Sequence, residues 1–344
     1  MILGMGKKNV KTRSFNTVKH SNRPQRIKRQ RNQRIVLLSI FLVIILIAST
    51  AAVFGIWSLA DTIITNIRDG QGTQQDGPNG DPTPETPPAE IIYTNFSQIS
   101  TATNLGELIV INNAHSYDPA KAANLETIHG SQPKDENGYN IYSVGNPAWK
   151  LNATALDALN QMLQKNYEVS DGADDIKVGS AYRTAEEQEN LNSSVKPGFS
   201  DHHSGYCLTL KTEDGYLEPS HWIYENCHKY GFIVRYPEGK EDKTGVSDYG
   251  WCFRYVGVAH ATYIKANNLC LEEYVELLKN SYASGVNLSF TGIDGNKYEV
   301  YYTPAGMGDS VTTIRVPANF EYTLSGDNMG GFIVTVNRSK PISA

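Results

Sequence analysis

The sequence predicts an α+β protein: one apolar N-terminal helix, then a small antiparallel-sheet domain with flanking helices, then a small all-β module. Three observations support this. Residues 35–60 carry no charge, residues 91–282 mix helical and strand periodicities, and short β-type runs follow Val286. An apolar fraction of 40% with 19% charged residues excludes a fully disordered chain. A formal net charge of -5 excludes a wholly basic nucleic-acid-binding protein, so no nucleic acid is expected as a partner.

Residues 1–34 form a basic tail. They hold 11 of the 31 Lys and Arg residues and no Asp or Glu, which leaves 20 basic against 36 acidic residues elsewhere, a formal charge of -16. A basic tail is compatible with nucleic-acid binding, but this one directly precedes an apolar run. That position favours a role in membrane topology and in contact with anionic lipid headgroups.

Residues 35–60 are predicted to form a single transmembrane helix. The run is uncharged over 26 residues, and about 20 apolar residues suffice to cross the hydrocarbon. Basic residues precede it and Asp61 follows it, which places the tail in the cytoplasm and the C-terminal part outside the cell membrane. A cleaved signal peptide is the alternative; the long basic region and the length of the apolar run favour a retained anchor.

Composition divides the rest of the chain into three parts. Residues 61–90 are a predicted linker, because Asp69–Pro88 is rich in Pro and Gly and nearly lacks apolar side chains. Residues 91–282 are long enough to form a core of their own. Residues 283–344 are assigned to the β module.

Apolar spacing predicts the elements of residues 91–282. Leu105–Asn112 is a predicted buried strand, and apolar residues at helical spacing predict a helix over about 152–166. Thr184–Glu187 has the composition of a capping box, which predicts a helix running towards Asn192. The other predicted elements are strands at Ile176–Ser180, Phe232–Tyr236 and Trp251–Val256, and helices at Pro219–Tyr230, 258–266 and 271–281.

Short runs separated by turn residues predict the β module. Asp294–Gly295 and Gly326–Asn328 supply turn signals. The predicted strands are Leu288–Thr291, Tyr298–Tyr302, Thr312–Val316, Phe320–Leu324 and Phe332–Val336.

Several motifs of residues 91–282 carry side chains suited to chemistry. They are Ser180–Arg183, Ser200–Thr209 and Asp248–Gly257, with Gly231–Gly239 before the last and Asn268–Tyr274 after it. Their order and spacing resemble the VanY-like zinc D-alanyl-D-alanine carboxypeptidases over about residues 105–282. The resemblance implies a metallopeptidase-like fold for the domain, and it does not extend to the tail, the linker or the β module.

The resemblance also implies a zinc site. In that family the second motif supplies a His and an Asp ligand, and the third supplies a Glu general base and a final His ligand. Three protein ligands leave one position for water, whose pKa zinc lowers towards neutrality so that a carboxylate can remove its proton. An Arg beside the cleft binds the terminal carboxylate of the peptide substrate.

This sequence keeps the first ligand position, His202, and changes the other positions. Thr209 stands at the Asp position, Tyr249 at the general-base position and Cys252 at the last His position. A hydroxyl is a poor substitute for a carboxylate on zinc, and a phenol with an ordinary pKa of about 10 is a weak base at neutral pH. Asp248 is adjacent, but one step along an extended chain turns its side chain to the other face. These departures predict that the metal site at His202, Thr209 and Cys252 is vacant or altered, with zinc as the cofactor if there is one, and that peptidase activity is lost or strongly reduced.

Positions on the substrate side match the family better. The resemblance implies substrate-binding roles for Ser180, Tyr182, Arg183, Ser200 and Arg254. The first hypothesis is therefore a membrane-anchored, catalytically silent protein that binds peptidoglycan stem peptides ending in D-Ala-D-Ala. A different kind of function is the alternative: a purely structural cell-surface module.

A second hypothesis keeps an enzyme. Cys252 can ligate zinc as a thiolate, and strand alternation places Cys207 on the same face as Thr209. His202, Cys252 and Cys207 would then restore three zinc ligands, still without a good base. His202 and Cys252 could instead form a thiol–imidazole pair without metal, and a disulfide between Cys207 and Cys252 would fill the same space.

The remaining His and Cys residues carry no predicted role. His203 is expected to point outward, because successive residues of a strand or turn diverge in direction. Cys227 and Cys270 are expected to pack in the core.

Overall fold

A computed structural model of the chain describes residues 90–342, apart from residues 192, 214, 248, 249 and 284. The predicted basic tail, the predicted transmembrane helix and nearly all of the predicted linker lie outside the described residues, as does Tyr249 at the general-base position. Within the described part, no helix is both long and apolar enough to cross a membrane. The single-pass topology of residues 35–60 stays a prediction.

The described residues combine strands and helices, which confirms the α+β class. The strands are β1 (Tyr93–Ile99), β2 (Leu125–Thr127), β3 (Ser143–Val144), β4 (Lys150–Asn152), β5 (Ile176–Ser180), β6 (Cys207–Thr212), β7 (Gly215–Tyr216), β8 (Phe232–Val234), β9 (Cys252–Tyr255), β10 (Leu288–Thr291), β11 (Lys297–Pro304), β12 (Val311–Pro317), β13 (Phe320–Gly326) and β14 (Gly331–Pro341). The helices are α1 (Ala153–Val169), α2 (Ala185–Glu189), α3 (Trp222–Asn226), α4 (Glu241–Thr244), α5 (Val258–Ala266) and α6 (Leu271–Ser281).

The central sheet has the strand order β3-β5-β6-β9-β8, with β7 paired to β6. Its pairings are antiparallel except that of β3 with β5. Helix α1 covers one face, where Leu156, Leu159 and Leu163 pack in one core with Leu208 and Phe253 of the sheet. Each buried leucine of this kind contributes about 1.5–3 kcal/mol to the free energy of folding.

The predicted starts of α1 and α2 are confirmed. At α1, the Asn152 side-chain oxygen accepts a hydrogen bond of 3.0 Å from the backbone N–H of Thr154, which satisfies one of the free N–H groups of the first turn. At α2, the capping box is complete: the Glu187 N–H donates to Thr184 Oγ1 and the Thr184 N–H donates to the Glu187 carboxylate. Helix α2 ends at Glu189, before Asn192, which lies outside the described residues.

Helix α3 begins three residues later than predicted. The His221 N–H donates to the carbonyl of Glu218 in a turn, and His221 Nδ1 then accepts from the Ile223 N–H, so His221 rather than an earlier residue caps the helix. The chain continues as a 3-10 helix over Cys227–Tyr230. It stops at Gly231, as predicted, with a φ of 81° that favours glycine.

The prediction of a regular strand at Leu105–Asn112 is wrong. Residues Leu108–Ile111 of the segment are buried, as expected, whereas Leu105 is exposed, and the backbone N–H groups find separate partners. The Leu108 N–H donates to Ser325 Oγ at 2.9 Å, and the Val110 N–H donates to the carbonyl of Asp327 at 3.0 Å. Residues more than 200 positions later therefore accept the backbone hydrogen bonds that a neighbouring strand would accept in a sheet.

The β module contains a four-stranded sheet, β10-β11-β14-β13, and the separate pair β1-β12. Strand β1 pairs with β12 from Tyr93 opposite Pro317 to Ile99 opposite Val311. Strand β1 lies within the predicted domain of residues 91–282, but it pairs with a strand of the β module. A single hydrophobic core extends from α5 and α6 into β10, β11 and β14, so the module packs directly on these two helices.

A cluster of buried charges lies behind the loop that carries His202. Asp201 accepts hydrogen bonds from Arg235, at 3.1 Å, and from Arg254, and none of these three side chains is exposed to solvent. Glu272 on α6 binds Arg235 through both carboxylate oxygens, at 2.7 and 2.9 Å. Burial by itself would raise the pKa of Asp201, but the charges of Arg254 and Arg235 hold that pKa below its ordinary value.

We expect Glu272→Ala to lower the free energy of unfolding by about 3–5 kcal/mol, because breaking a buried ion pair leaves an uncompensated charge. Urea unfolding of the full chain measures this change. The matched control is Glu276, an exposed residue of the same helix, where substitution by Ala should change stability by less than about 0.5 kcal/mol. Equal effects of the two substitutions would contradict the role of the cluster.

Candidate functional site

The candidate site is built from strands β6 and β9 and from the loop before β6. That loop, Asp201–Ser204, is a single 3-10 turn that ends at Gly205 with a φ of 77°. A Cβ at Gly205 would lie 2.7 Å from the side chain of Leu125. Both the backbone conformation and the close packing therefore require glycine where the loop enters β6.

His202 is oriented by one backbone hydrogen bond. Its Nδ1 lies 2.8 Å from the carbonyl oxygen of Ala181. Because a carbonyl only accepts, Nδ1 carries a proton, and in the neutral ring Nε2 then offers a lone pair. His202 is only 8% exposed, so this nitrogen is held in a largely desolvated site.

Two thiols lie beside His202. Strands β6 and β9 are antiparallel, with Thr209 opposite Cys252 and Cys207 opposite Arg254. Both cysteines are buried free thiols, and their Sγ atoms are 2.9 Å apart. One ligand atom each of His202, Cys207 and Cys252 lies within 4.8 Å of the others, which confirms the predicted proximity of the three side chains.

The two thiols differ in acidity. The hydrogen bond from Cys207, helped by His202 when its ring is protonated, lowers the pKa of Cys252 to about 6. Burial, in contrast, raises the pKa of Cys207 well above its ordinary value. These opposite shifts favour Cys252 over Cys207 as the position of a thiolate.

Arg183 is held at the site by two side chains. Its Nε and one terminal nitrogen donate to Ser180 Oγ at 3.1 and 2.8 Å, and the other terminal nitrogen donates to Gln188 Oε1 at 2.8 Å. A guanidinium has five N–H groups, so each terminal nitrogen keeps one for a ligand. Burial lowers the pKa of Arg183, but an arginine remains charged in proteins. The side chain is thus a fixed fork suited to a carboxylate.

These side chains open onto one cavity of about 450 Å³. The described residues of its lining are Asn113, Arg183, Gln188, Ser193, Ser194, Val195, Ser200, His202, Thr209, Tyr236, Gly245, Val246, Ser247, Trp251 and Cys252. No carboxylate is among these described residues. The cavity combines a fixed cation, neutral polar groups and the thiol–imidazole cluster.

An aromatic wall bounds the cavity on one side. The rings of Trp251 and Tyr216 stack with centroids 3.9 Å apart and 20° between their planes. Tyr236 lines the cavity as well, and burial raises the pKa of its phenol well above the ordinary value, so the phenol stays protonated. Sequence reasoning missed Tyr236 and Gln188. The signal for Gln188 was its place one residue after the capping box of α2.

The predicted substrate-binding residues divide into lining and supporting side chains. Arg183 and Ser200 line the cavity. Ser180 accepts the hydrogen bonds that hold Arg183. The hydroxyl of Tyr182 donates to the carbonyl of Pro119 at 3.1 Å, so its polar end is directed at backbone.

Arg254 does not fill its predicted role at the substrate. Its side chain is fully buried, pairs with Asp201 and donates to the carbonyls of Glu107 and Ile109 at 2.9 and 3.0 Å. The Arg254 guanidinium therefore stabilises the protein interior through these contacts. The general-base position, Tyr249, lies outside the described residues.

The expectation that His203 points outward is wrong. His203 is fully buried; its Nδ1 lies 2.7 Å from the carbonyl oxygen of Arg183, and its Nε2 accepts a hydrogen bond of 3.1 Å from the Gly198 N–H. Burial lowers the pKa of His203, which favours the neutral ring. Strand-like alternation failed here because the loop is a 3-10 turn, in which consecutive side chains can both be enclosed.

The donor set fits a soft divalent metal such as zinc. One imidazole nitrogen and two sulfurs are typical zinc ligands, and three protein ligands leave a fourth position open. The predicted positional set was His202, Thr209 and Cys252. The cluster of donor atoms favours Cys207 over Thr209 as the third ligand, since a thiolate binds zinc better than a neutral hydroxyl.

Comparison with known proteins adds to this geometry. Residues 148–258 match the family described as VanY: D-alanyl-D-alanine carboxypeptidase. The chain is 34% identical over 248 residues to a D-alanyl-D-alanine carboxypeptidase of Enterococcus faecium, covering 67% of this chain and 75% of that protein. It is 36% identical over 129 residues to the bifunctional D-Ala-D-Ala dipeptidase and D-Ala-D-Ala carboxypeptidase VanXYC of Enterococcus gallinarum, covering 30% and 68%. The solved structure of the vancomycin resistance D,D-dipeptidase VanXYg, in complex with a D-Ala-D-Ala phosphinate analogue, shares the fold, with a TM-score of 0.58 and 24% identity over 72% of this chain and 99% of that chain.

We expect the full chain to bind one zinc ion and Cys252→Ser to weaken that binding by more than about tenfold, because losing even an outer-shell partner costs about 10–100-fold. Titration against a competing chelator measures the affinity. Cys270→Ser is the matched control, since Cys270 caps α6 and Ser is favoured at helix N-caps. Equal zinc affinity in both variants, or no zinc binding by the unchanged chain, would contradict the proposed ligand set.

Proposed function

Since the chain belongs to the VanY family of D-alanyl-D-alanine carboxypeptidases, we propose that it binds peptidoglycan stem peptides ending in D-Ala-D-Ala, with peptidase activity lost or strongly reduced. One observation carries this proposal. The cavity keeps Arg183 as a fixed carboxylate anchor, whereas no carboxylate base is among its described lining residues.

Recognition of the peptide end rests on Arg183. A C-terminal carboxylate is planar and accepts two parallel hydrogen bonds, which matches the N–H groups that remain on the two terminal guanidinium nitrogens. Ser180 and Gln188 hold the guanidinium before any ligand arrives. Because the fork is already ordered, little side-chain entropy is lost when the carboxylate binds.

The proposed loss of turnover follows from the substitution of the group that would accept a proton. Hydrolysis of an amide requires a group that takes a proton from the attacking water. The sequence has Tyr249 at the position of the family's Glu base. Of the described lining groups, His202 and Cys252 can accept a proton, but both have their acceptor atoms within the three-residue donor cluster. A metal held by that cluster would occupy both acceptors.

An active zinc D,D-carboxypeptidase with rearranged ligands is the second candidate function. The proximity of His202, Cys207 and Cys252 favours it. Zinc held by these three residues would supply a Lewis acid that polarises the scissile carbonyl. Arg183 would orient the substrate by its terminal carboxylate, and the stacked Trp251 and Tyr216 would shield one side of the cavity from solvent.

The proposed location is the outer face of the cell membrane. The uncharged run at residues 35–60, with basic residues before it, supports a single-pass anchor that leaves the N-terminus in the cytoplasm. The Pro- and Gly-rich linker would then hold the domain away from the bilayer. A domain placed there meets stem peptides of the cell wall.

Arg183→Ala should weaken binding of a pentapeptide ending in D-Ala-D-Ala by at least about tenfold, since hydrogen bonds to charged groups contribute about 1.5–3 kcal/mol. Isothermal titration calorimetry on the full chain measures the affinity. Arg315→Ala, at an exposed arginine of β12, is the control and should leave binding unchanged. If the unchanged chain binds and Arg183→Ala binds equally well, the cavity assignment is wrong; if the unchanged chain does not bind, the structural-module alternative is favoured.

With the same pentapeptide and added zinc, we expect the full chain to release D-Ala at a rate at least about 100-fold below that of an active D-alanyl-D-alanine carboxypeptidase, because general-base catalysis contributes about 10²–10⁴-fold. An enzyme-coupled D-Ala assay measures the release, with the carboxypeptidase of Enterococcus faecium as the reference. Release at the rate of the reference would establish the second candidate function.

A further inference from the structure

A second cavity, of about 470 Å³, lies on the other side of the central sheet, where β6, β9 and the start of α5 meet the β module. Alternation along β9 separates the two cavities. Cys252 faces the candidate site, whereas Tyr255, an odd number of residues further on, lines the second cavity. The volume is within the range of about 300–1,000 Å³ that is typical of small-molecule sites.

Four tyrosines line this cavity. Tyr206 and Tyr255 come from the sheet domain, and Tyr298 and Tyr322 come from the β module. The rings of Tyr206 and Tyr255 are nearly parallel, with 17° between their planes and centroids 6.4 Å apart. Tyr322 is 36% exposed. A tyrosine presents an apolar ring face and a polar edge, so these walls suit a ligand that has both apolar and hydroxylated surfaces.

Polar side chains supply both hydrogen-bond donors and acceptors between the rings. Glu107 contributes a carboxyl group whose pKa is raised by burial, and Asn337 contributes an amide. Glu321 and Lys340, both more than half exposed at 61% and 55%, pair with each other at 3.5 Å. The charges that line the cavity are thus of both signs, and the lysine already has a partner.

This lining discriminates between classes of ligand. An anion would meet Glu321 beside Lys340, whereas a cation would meet Lys340, would find Glu321 already paired, and would find Glu107 with a pKa raised towards the neutral form. A purely apolar ligand would cover the polar groups of Glu107 and Asn337 without offering them hydrogen bonds. A neutral polyhydroxylated ring avoids each of these costs, because its C–H face packs on the aromatic rings and its hydroxyls bond to the carboxyl and amide groups.

We infer that this second cavity is a saccharide-binding site. On the proposed function, on which this identification of the saccharide rests, the ligand is the N-acetylhexosamine glycan strand of peptidoglycan. The peptide end and the glycan would then bind on opposite faces of one sheet.

Chitotriose, a trimer of N-acetylglucosamine, is the probe for this site. We expect saturable binding of one chitotriose to the full chain by isothermal titration calorimetry. Tyr322→Ala and Glu107→Ala should each weaken it by at least about tenfold, which equals about 1.4 kcal/mol. Tyr322→Phe, which keeps the ring, should retain most of the affinity. Tyr139→Ala, at a tyrosine that is 73% exposed and is not part of the cavity lining, is the matched control and should bind as the unchanged chain does.

Two outcomes of the chitotriose titrations would overturn the saccharide site. One is no saturable chitotriose binding by a chain whose circular dichroism shows it folded. The other is equal affinity in Tyr322→Ala, Glu107→Ala and the unchanged chain. Tighter binding of spermidine or inorganic phosphate than of chitotriose, lost in the same variants, would also overturn it in favour of a charged ligand.

The same variants separate this inference from the proposed function. Tyr322→Ala should bind the D-Ala-D-Ala pentapeptide normally, and Arg183→Ala should bind chitotriose normally. A chain that binds chitotriose at this site and fails to bind the pentapeptide would refute the proposed function while leaving the saccharide site in place.

Discussion

Asp201 lies between two buried arginines, and the positions of the functional side chains depend on this arrangement. The carboxylate directly precedes His202 in the chain, and its partner Arg254 is two residues beyond Cys252. A buried charge without a partner is strongly unfavourable, so the loop and β9 cannot shift independently without breaking the pairing. Glu272 continues the network to α6 through Arg235. The distance between the imidazole and the thiols is therefore set by charges beneath the site rather than by the site itself.

The two cavities lie on opposite faces of the central sheet. On one face, Cys207 and Cys252 approach His202; on the other, Tyr206 and Tyr255 turn towards the β module. Arg254 also donates to the backbone carbonyl of Glu107, whose carboxyl group lines the second cavity. One guanidinium thus contacts the supporting structure of both cavities, which gives them fixed relative positions without a shared lining residue.

The features that the sequence predicts correctly depend mostly on residues that are close to one another in the chain. Helix caps and the class of most elements depend on spacing along the chain, whereas the proximity of Cys207 to Cys252 was implied by the family resemblance; the structure confirms both. The errors depend on distant residues. Leu105–Asn112 has the composition of a strand, but Ser325 and Asp327 satisfy its backbone, and no local pattern reveals partners so far away. Arg254 is close to the site in sequence, and only its pairing with buried Asp201 shows that it is structural.

Binding and hydrolysis draw on different parts of this scaffold, which is why one can survive the loss of the other. Arg183 is held by Ser180 at the end of β5 and by Gln188 on α2, and His203 fixes its backbone carbonyl. None of these contacts involves β9, where Cys252 replaces the family's last histidine ligand. Substitutions on β9 can therefore alter the donor set while the carboxylate fork keeps its geometry. A family member whose donor set changes by this route can therefore keep the ordered guanidinium fork that a peptide carboxylate requires.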